Sequence, residues 1–458
     1  MSVDHDPVQP PANLHLSSPH EVRRVAISGF LGNTIEYYDF ILYGSAAALF
    51  IGPLFFSGLS PTMGTLVSFA TLATGYVARP LGGIVFGRLG DRIGRKPVLL
   101  ITMVVMGVGS GLIGVLPTYA QIGVAAPLLL VLLRLVQGFA IGGEWGGAAL
   151  LTAEHAPDKR RGFFTAIAQS GLPLGSLLSA LAMAAVSLLP QDQLMAWGWR
   201  LPFLASFLML GVGMYVRTRI SESPLFDELE AAARSRRRPL TQVIRRPGAL
   251  FRGVAATIPP VMGSTLFGSF TLSYAVGIGY TRSEVLVALG IAWAAAIVTT
   301  PLYGILSDRI GRRPVYLFGA IGLAVLAFPM FWAINSLSTM WLVLSLVIIF
   351  AVISVAMSGP LAALLSEMFS TDVRYTGVSL SYQVATIIAG FTPLLASALL
   401  TLAGGGRNIG WICTFVAVVS LLAASVAWFW TESGGRSLRS EQGAHPTPKP
   451  AGKRSGIK

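Results

Sequence analysis

The chain has 458 residues, 53% of them hydrophobic and 12% charged, with 51 glycines and a formal net charge of +13. Soluble domains carry about 25% charged residues, so so much apolar surface cannot be hidden behind so few charges in water. This excludes an ordinary globular enzyme, a disordered chain and, despite the basic balance, a nucleic-acid-binding module. What is left is an all-α polytopic membrane protein.

The first 22 residues are polar and proline-rich, unlike a secretory signal. Apolar windows follow at 25–51, 63–87, 97–116, 124–148, 163–189 and 200–217, and then at 251–279, 284–306, 314–334, 340–366, 376–403 and 409–431. A spanning helix takes about 20 residues, so the reading is twelve transmembrane helices in two six-helix halves. The expected divisions are a tail over 1–22, a first half over 23–218, a loop over 219–250, a second half over 251–432 and a disordered tail over 433–458. Cys413 is the single cysteine, and His5, His15, His20, His155 and His445 lie in tails or a loop. The sequence therefore offers no disulfide framework, thiolate cluster or intramembrane histidine site for a metal.

Basic residues set the expected orientation. Placing both tails and the even-numbered connections on one side collects 28 of the 33 lysines and arginines. Arg79 and Arg134 lie inside spans, and Arg200, Arg282 and Arg407 fall opposite. By the positive-inside rule both termini are cytoplasmic, in a cell (inner) membrane. Arg234, Arg236, Arg237, Arg238, Arg245 and Arg246 in the central loop read as topogenic, with contact to anionic headgroups as the alternative.

The halves repeat each other. After span 2 the chain reads Gly87-Arg-Leu-Gly-Asp91-Arg92-Ile-Gly94-Arg95-Lys96-Pro97-Val98, and after span 8 Gly304-Ile-Leu-Ser-Asp308-Arg309-Ile-Gly311-Arg312-Arg313-Pro314-Val315. A second echo joins Glu154 with Arg161-Gly162 to Glu367 with Arg374 and Gly377. Duplicated halves imply a transporter with its site at midplane between them.

The paired loops resemble the signature of the major facilitator superfamily. Further segments are similar to its metabolite:proton symporters: Glu36-Tyr-Tyr-Asp39-Phe-Ile-Leu-Tyr-Gly44, Ala78-Arg79-Pro80-Leu-Gly-Gly83, Gln137-Gly-Phe-Ala-Ile-Gly-Gly-Glu144-Trp-Gly-Gly-Ala148, Trp197-Gly-Trp-Arg200-Leu-Pro and Glu222-Ser-Pro224. Members of that group carry organic acids such as shikimate and dicarboxylates, or zwitterionic osmolytes such as proline and betaine. The resemblance runs from about Arg23 to Thr431. The segment around Trp145 and the stretch Tyr382 to Ala385 look most like shikimate-type members.

Ionisable groups within spans are costly and point to function. Here they are Glu36, Asp39, Arg79, Arg134 and Glu144, all in the first half. Glu36 and Asp39, three apart, share a helix face. The resemblance implies that Asp39 and Arg134 form a proton-coupling pair; a permanent ion pair holding spans 1 and 4 is the bland alternative. Glu36 titrates or contacts substrate. Arg79 either binds a carboxylate substrate or pairs with an acid as scaffold, and the second is favoured. Gln137, Glu144 and Trp145 recur with Arg134 along one stripe of span 4. Gln169 matches a substrate-facing glutamine in related carriers. Tyr37, Tyr38 and Trp145 either stack on a ring or fill the core, and Tyr274, Tyr382 and Gln383 are the polar groups offered by the second half. Glycines at intervals of four, Gly138, Gly142 and Gly146, Gly171 and Gly175, Gly107 and Gly111, read as packing faces.

By the same resemblance the loops latch the cytoplasmic gate. Asp91, Arg92 and Arg95, with Asp308, Arg309 and Arg312, take that role, each Asp holding a neighbouring helix start. Glu154 with Arg161, and Glu367 with Arg374, are their salt-bridge partners. The expected activity is proton-driven uptake of a small polar organic acid by alternating access. Its alternatives are an osmolyte symporter and an exporter of the same fold. An intramembrane enzyme lacks a nucleophile or metal cluster near the acids, a channel does not need two gating motifs, and without a P-loop ATP is not the energy source. The expected partners are substrate, proton and lipid, with no cofactor and no nucleic acid, the chain working as a monomer.

Overall fold

The computed structural model describes residues 19–93, 95–142, 144–218, 247–370, 373–430 and 432. Among the described residues, twelve long helices, each continuous or broken by a short turn, cross the molecule. They are α1 (Pro19–Leu49), α2 (Pro61–Ile93), α3 (Arg95–Val115), α4 (Ala125–His155), α5 (Asp158–Val186) and α6 (Arg200–Thr218), then α7 (Pro247–Ile278), α8 (Arg282–Ile310), α9 (Arg312–Ile334), α10 (Thr339–Met368), α11 (Arg374–Leu402) and α12 (Gly410–Trp428). Length and hydropathy alone pick out nine of these among the described residues, and α6 as a tenth when joined to the bent turn Gln191–Gly198 before it. Helices α1 and α2 are long enough, at 31 and 33 residues, but carry Glu36, Asp39 and Arg79 in their middles.

The helices overrun the apolar windows because backbone bonding continues after the chain leaves lipid. Proline starts α1, α2 and α7, its missing N–H being one the first turn cannot use. Consequently α1 begins inside the expected tail and α7 starts at Pro247, ahead of the expected 251. The rest of the central loop and both tails lie outside the described residues, as does Glu222-Ser-Pro224.

Each half pairs its helices in the same way. In the first, α1 packs on α5, α2 on α4 and α3 on α6; in the second, α7 packs on α11, α8 on α10 and α9 on α12. The halves meet along α5–α8 and α2–α11. Within the first half the glycines are packing faces, as expected. A methyl built on Gly138 would lie 1.8 Å from the Gly75 carbonyl oxygen, and one on Gly142 1.9 Å from that of Arg79. Gly171 and Gly175 stand equally close to Phe30 and Thr34 of α1, and Gly111 to the Phe207 ring of α6. Helices α7 and α10 each contain a π-helical turn, at 266–270 and 348–354, a geometry that recurs at functional sites.

Candidate transport site

The duplicated loops lie at one end of the bundle, here called the loop face. There the end of α8 docks on the start of α5. Asp308 accepts hydrogen bonds from the Gly162 and Phe163 backbone N–H groups, both at 2.9 Å, which are unused donors at a helix N-terminus. Arg312 donates to Asp308 at 2.7 Å and to Glu367 on α10 at 3.3 Å. Arg161 donates to the same Glu367 at 2.8 Å and pairs with Asp158. The spacing of the motif follows from this geometry: a methyl on Gly304 would meet the Gly162 oxygen at 2.6 Å, and Gly311 turns the chain into α9 with a φ of +100°.

The contacts expected of such a latch are present at Asp308, Arg312, Arg161 and Glu367. Arg309 is exposed and takes no part in it. Arg374 donates to the carbonyls of Ser366 and Phe369, just as Arg161 donates to that of Ala153; Glu154 sits half-buried one repeat before Glu367. The side chains of Asp91, Arg92 and Arg95 lie outside the described residues. Glu432, just past α12, accepts from the Arg312 and Arg313 N–H groups at 2.8 and 3.1 Å; this cap on α9 has no counterpart in the sequence reading.

At mid-depth the halves touch through side chains. Tyr37 of α1 and Tyr382 of α11 share a hydrogen bond of 2.7 Å, and Tyr382 stacks on Trp145 of α4 with centroids 3.5 Å apart. Gln383 donates to the Gly142 carbonyl at 2.7 Å while its own Oε1 lacks a partner. Beside them Arg79 is buried, its guanidinium over the Phe40 and Tyr76 rings at 4.3 and 4.5 Å. No described residue gives Arg79 a hydrogen bond or a carboxylate within ion-pair distance. This corrects the scaffold expectation: aromatic faces, not an acid, hold Arg79.

Asp39 and Arg134 are both buried and feel each other's charge, but they are not in contact. Asp39 accepts from Ser206 of α6, with Ser110 of α3 beside it. Arg134 lies over the Tyr43 ring at 4.0 Å and donates to Gln137 Oε1 at 3.0 Å, and Gln137 in turn donates to Ser110 at 2.6 Å. The expected pair is thus not in direct contact: Arg134 is bonded to the Gln137 amide, which is bonded in turn to the Ser110 hydroxyl. Gly75 makes room for the guanidinium and Gly109 for Gln137. A void with room for about one water lies against Glu36, Asp39 and Glu144.

Four residues expected at the substrate face protein instead. Gln137 is engaged as above. The Oε1 of Gln169 is taken by Asn33 at 3.0 Å, and Tyr38 donates to the Pro202 carbonyl at 2.8 Å. Tyr274 donates to Asn335 within a cluster of Phe270 and Phe331. Asn33, Ser110 and Ser206 were missed: Asn33 stands one turn before Glu36, a readable signal, whereas single serines in apolar helices usually bond their own backbone.

Two six-helix halves closing on a polar centre, with the second of the duplicated loops docked on the first half at one face, define a multi-pass secondary transporter. The chain belongs to the Major Facilitator Superfamily, whose family model matches residues 29–382 and 260–456. It is 37% identical to the shikimate transporter of Escherichia coli K12 over 90% of this chain and 95% of that one. Identity is 32% to the proline/betaine transporter of the same organism, covering 92% and 85%. A crystal structure of a D-xylose-proton symporter superposes with a TM-score of 0.71 at 20% identity, over 90% of this chain and 99% of that one, which establishes the fold. The protein is a transporter and not an enzyme.

Proposed function

We propose that the protein is a proton-coupled symporter that brings a small organic acid into the cell, with the loop face and both termini cytoplasmic. The observation that carries this reading is Arg79, a buried guanidinium facing the junction of the halves with no carboxylate among the described residues within ion-pair distance. An uncompensated intramembrane cation is costly, and a substrate carboxylate supplies the missing charge through two parallel hydrogen bonds. Tyr37, Trp145, Tyr382 and Gln383 bound the same place from both halves, so substrate entering there must part the Tyr37–Tyr382 bond and the Trp145–Tyr382 stack. Substrate binding is thereby tied to relative movement of the halves.

Asp39 is the proton acceptor in this reading, with Glu36 and Glu144 on the neighbouring void, and Arg134 adjusts its affinity as the halves rock. The shikimate-transporting relative supports an organic acid. A zwitterion such as proline or betaine is the second reading: it too offers a carboxylate to Arg79, and Trp145 and Tyr382 offer faces to a quaternary ammonium. The transporter works as a monomer in lipid and needs no cofactor besides the proton.

The test is the purified protein in liposomes with a trapped pH dye, given shikimate, a dicarboxylate, an aromatic acid, proline and betaine in turn. Acidification of the lumen with one compound, lost in Asp39→Asn while labelled exchange of that compound persists, is the expected result. Exchange without proton movement in the wild type would overturn coupling, and export-only flux would overturn the direction.

A further inference from the structure

We propose that Gln137 and Ser110 form a spacer that holds Arg134 one amide and one hydroxyl away from Asp39, and that Ser206 fixes the carboxylate from the other side. The inference rests on the reading of Asp39 as proton acceptor and adds three positioning residues to it. Gln137 is bonded at both ends of its amide, accepting from Arg134 at 3.0 Å and donating to Ser110 at 2.6 Å. Ser110 and Ser206 are fully buried, and Ser206 spends its hydroxyl on Asp39. Arg134 Nε and Asp39 Oδ2 are each left without a hydrogen bond. Two opposite charges, each with an open valence and kept apart by a bonded neutral bridge, form an ion pair held in reserve.

The other groups facing Asp39 do not replace this bridge. On its own helix they are Tyr38 and Glu36, and on α4 they are Arg134 and Glu144, the last across the void. From α2, Arg79 packs on Phe40 rather than on the carboxylate, and α3 and α6 contribute the two hydroxyls. The spacer thus gives signs that packing alone does not. Removing the Ser206 hydroxyl takes a donor from the carboxylate and tightens proton binding. Replacing Gln137 with an apolar residue of similar size frees Arg134 to reach Asp39 and weakens it.

The experiment is an infrared pH titration of purified full-length protein, with the Asp39 carboxyl band assigned by its loss in Asp39→Asn; no substrate is needed. Ser206→Ala should move the midpoint alkaline by about one pH unit, a tenfold change in proton affinity, and Ser206→Thr should return it towards the wild type. Gln137→Leu, and independently Gln137→Met, should move it acid by a similar amount. A shift of the same sign in both series, or none in either, would overturn the spacer, as would an Asp39 band that does not titrate. Liposome coupling is read separately: a spacer that fails while Asp39 still titrates and couples leaves the symport reading standing.

Discussion

Replacing Asp308 by Asn should unlock the loop face. The carboxylate accepts the Gly162 and Phe163 N–H groups at 2.9 Å each and the Arg312 guanidinium at 2.7 Å. Its side chain is 7% exposed, so solvent screens these bonds little. An amide keeps one acceptor oxygen but turns an NH2 toward the second donor and removes the charge at the α5 N-terminus. Hydrogen bonds to charged groups contribute about 1.5–3 kcal/mol each and an anion at a helix start about 0.3–1 kcal/mol. The combined loss is therefore about 3 kcal/mol, or roughly 100-fold in the ratio of closed to open at this face. The assay uses Ala148→Cys, which lines a void between the halves with Trp145, Thr165 and Ala362, in a Cys413→Ser background that has no other thiol. Alkylation by a hydrophilic maleimide should accelerate by one to two orders of magnitude when Asp308→Asn is added. An unchanged rate, with an unchanged melting temperature, would refute the latch.

Gly138→Ala should lower the melting temperature in detergent, because its methyl would meet the Gly75 oxygen at 1.8 Å and overpacking costs about 1–3 kcal/mol. Gly211→Ala, with nothing within 4 Å of the new methyl, is the control and should be neutral; equal losses would mean the close approach is not what matters. Arg79→Lys keeps the charge but not the planar fork, so it should weaken binding of the transported acid at least tenfold, read by ligand-induced thermal stabilisation, and leave the Asp39 titration in place. Undiminished binding would remove Arg79 from the substrate site.

The two-half fold and the contacts at its loop face were legible because both are periodic or duplicated. Twelve apolar windows mark the helices, and Asp308 and Gly304 carry the same offsets as Asp91 and Gly87. Long-range side-chain choices were not legible. Asp39 and Arg134 stand out as charges in an apolar context, yet nothing in the chain says that Gln137 intervenes between them, because that depends on which way two helices face. Gln169 reads as a substrate group until Asn33 is seen to occupy it. Arg79 misled in the opposite sense: a buried arginine suggests an acid partner, but here the partners are the rings of Phe40 and Tyr76, which carry no charge to search for. Glu432 could not be told from its polar neighbours by any pattern.

The glycine contacts have a mechanical consequence. At these glycines α1 meets α5, and α2 meets α4, backbone to backbone, so no side chain lies between the helices there to deform, and α3 is seated on α6 by Gly111. The first half is in effect three stiff two-helix beams. Asp39 rides on the first, Arg134 and Gln137 on the second, and Ser110 and Ser206 on the third, so the carboxylate lies where all three converge. Those close contacts oppose sliding within a beam, so what Asp39 touches is set by how the three beams stand to one another. Any tilt of one beam against another changes its partners at once, and a rocking movement shared across some thirty residues of helix is thereby read out at a single oxygen atom.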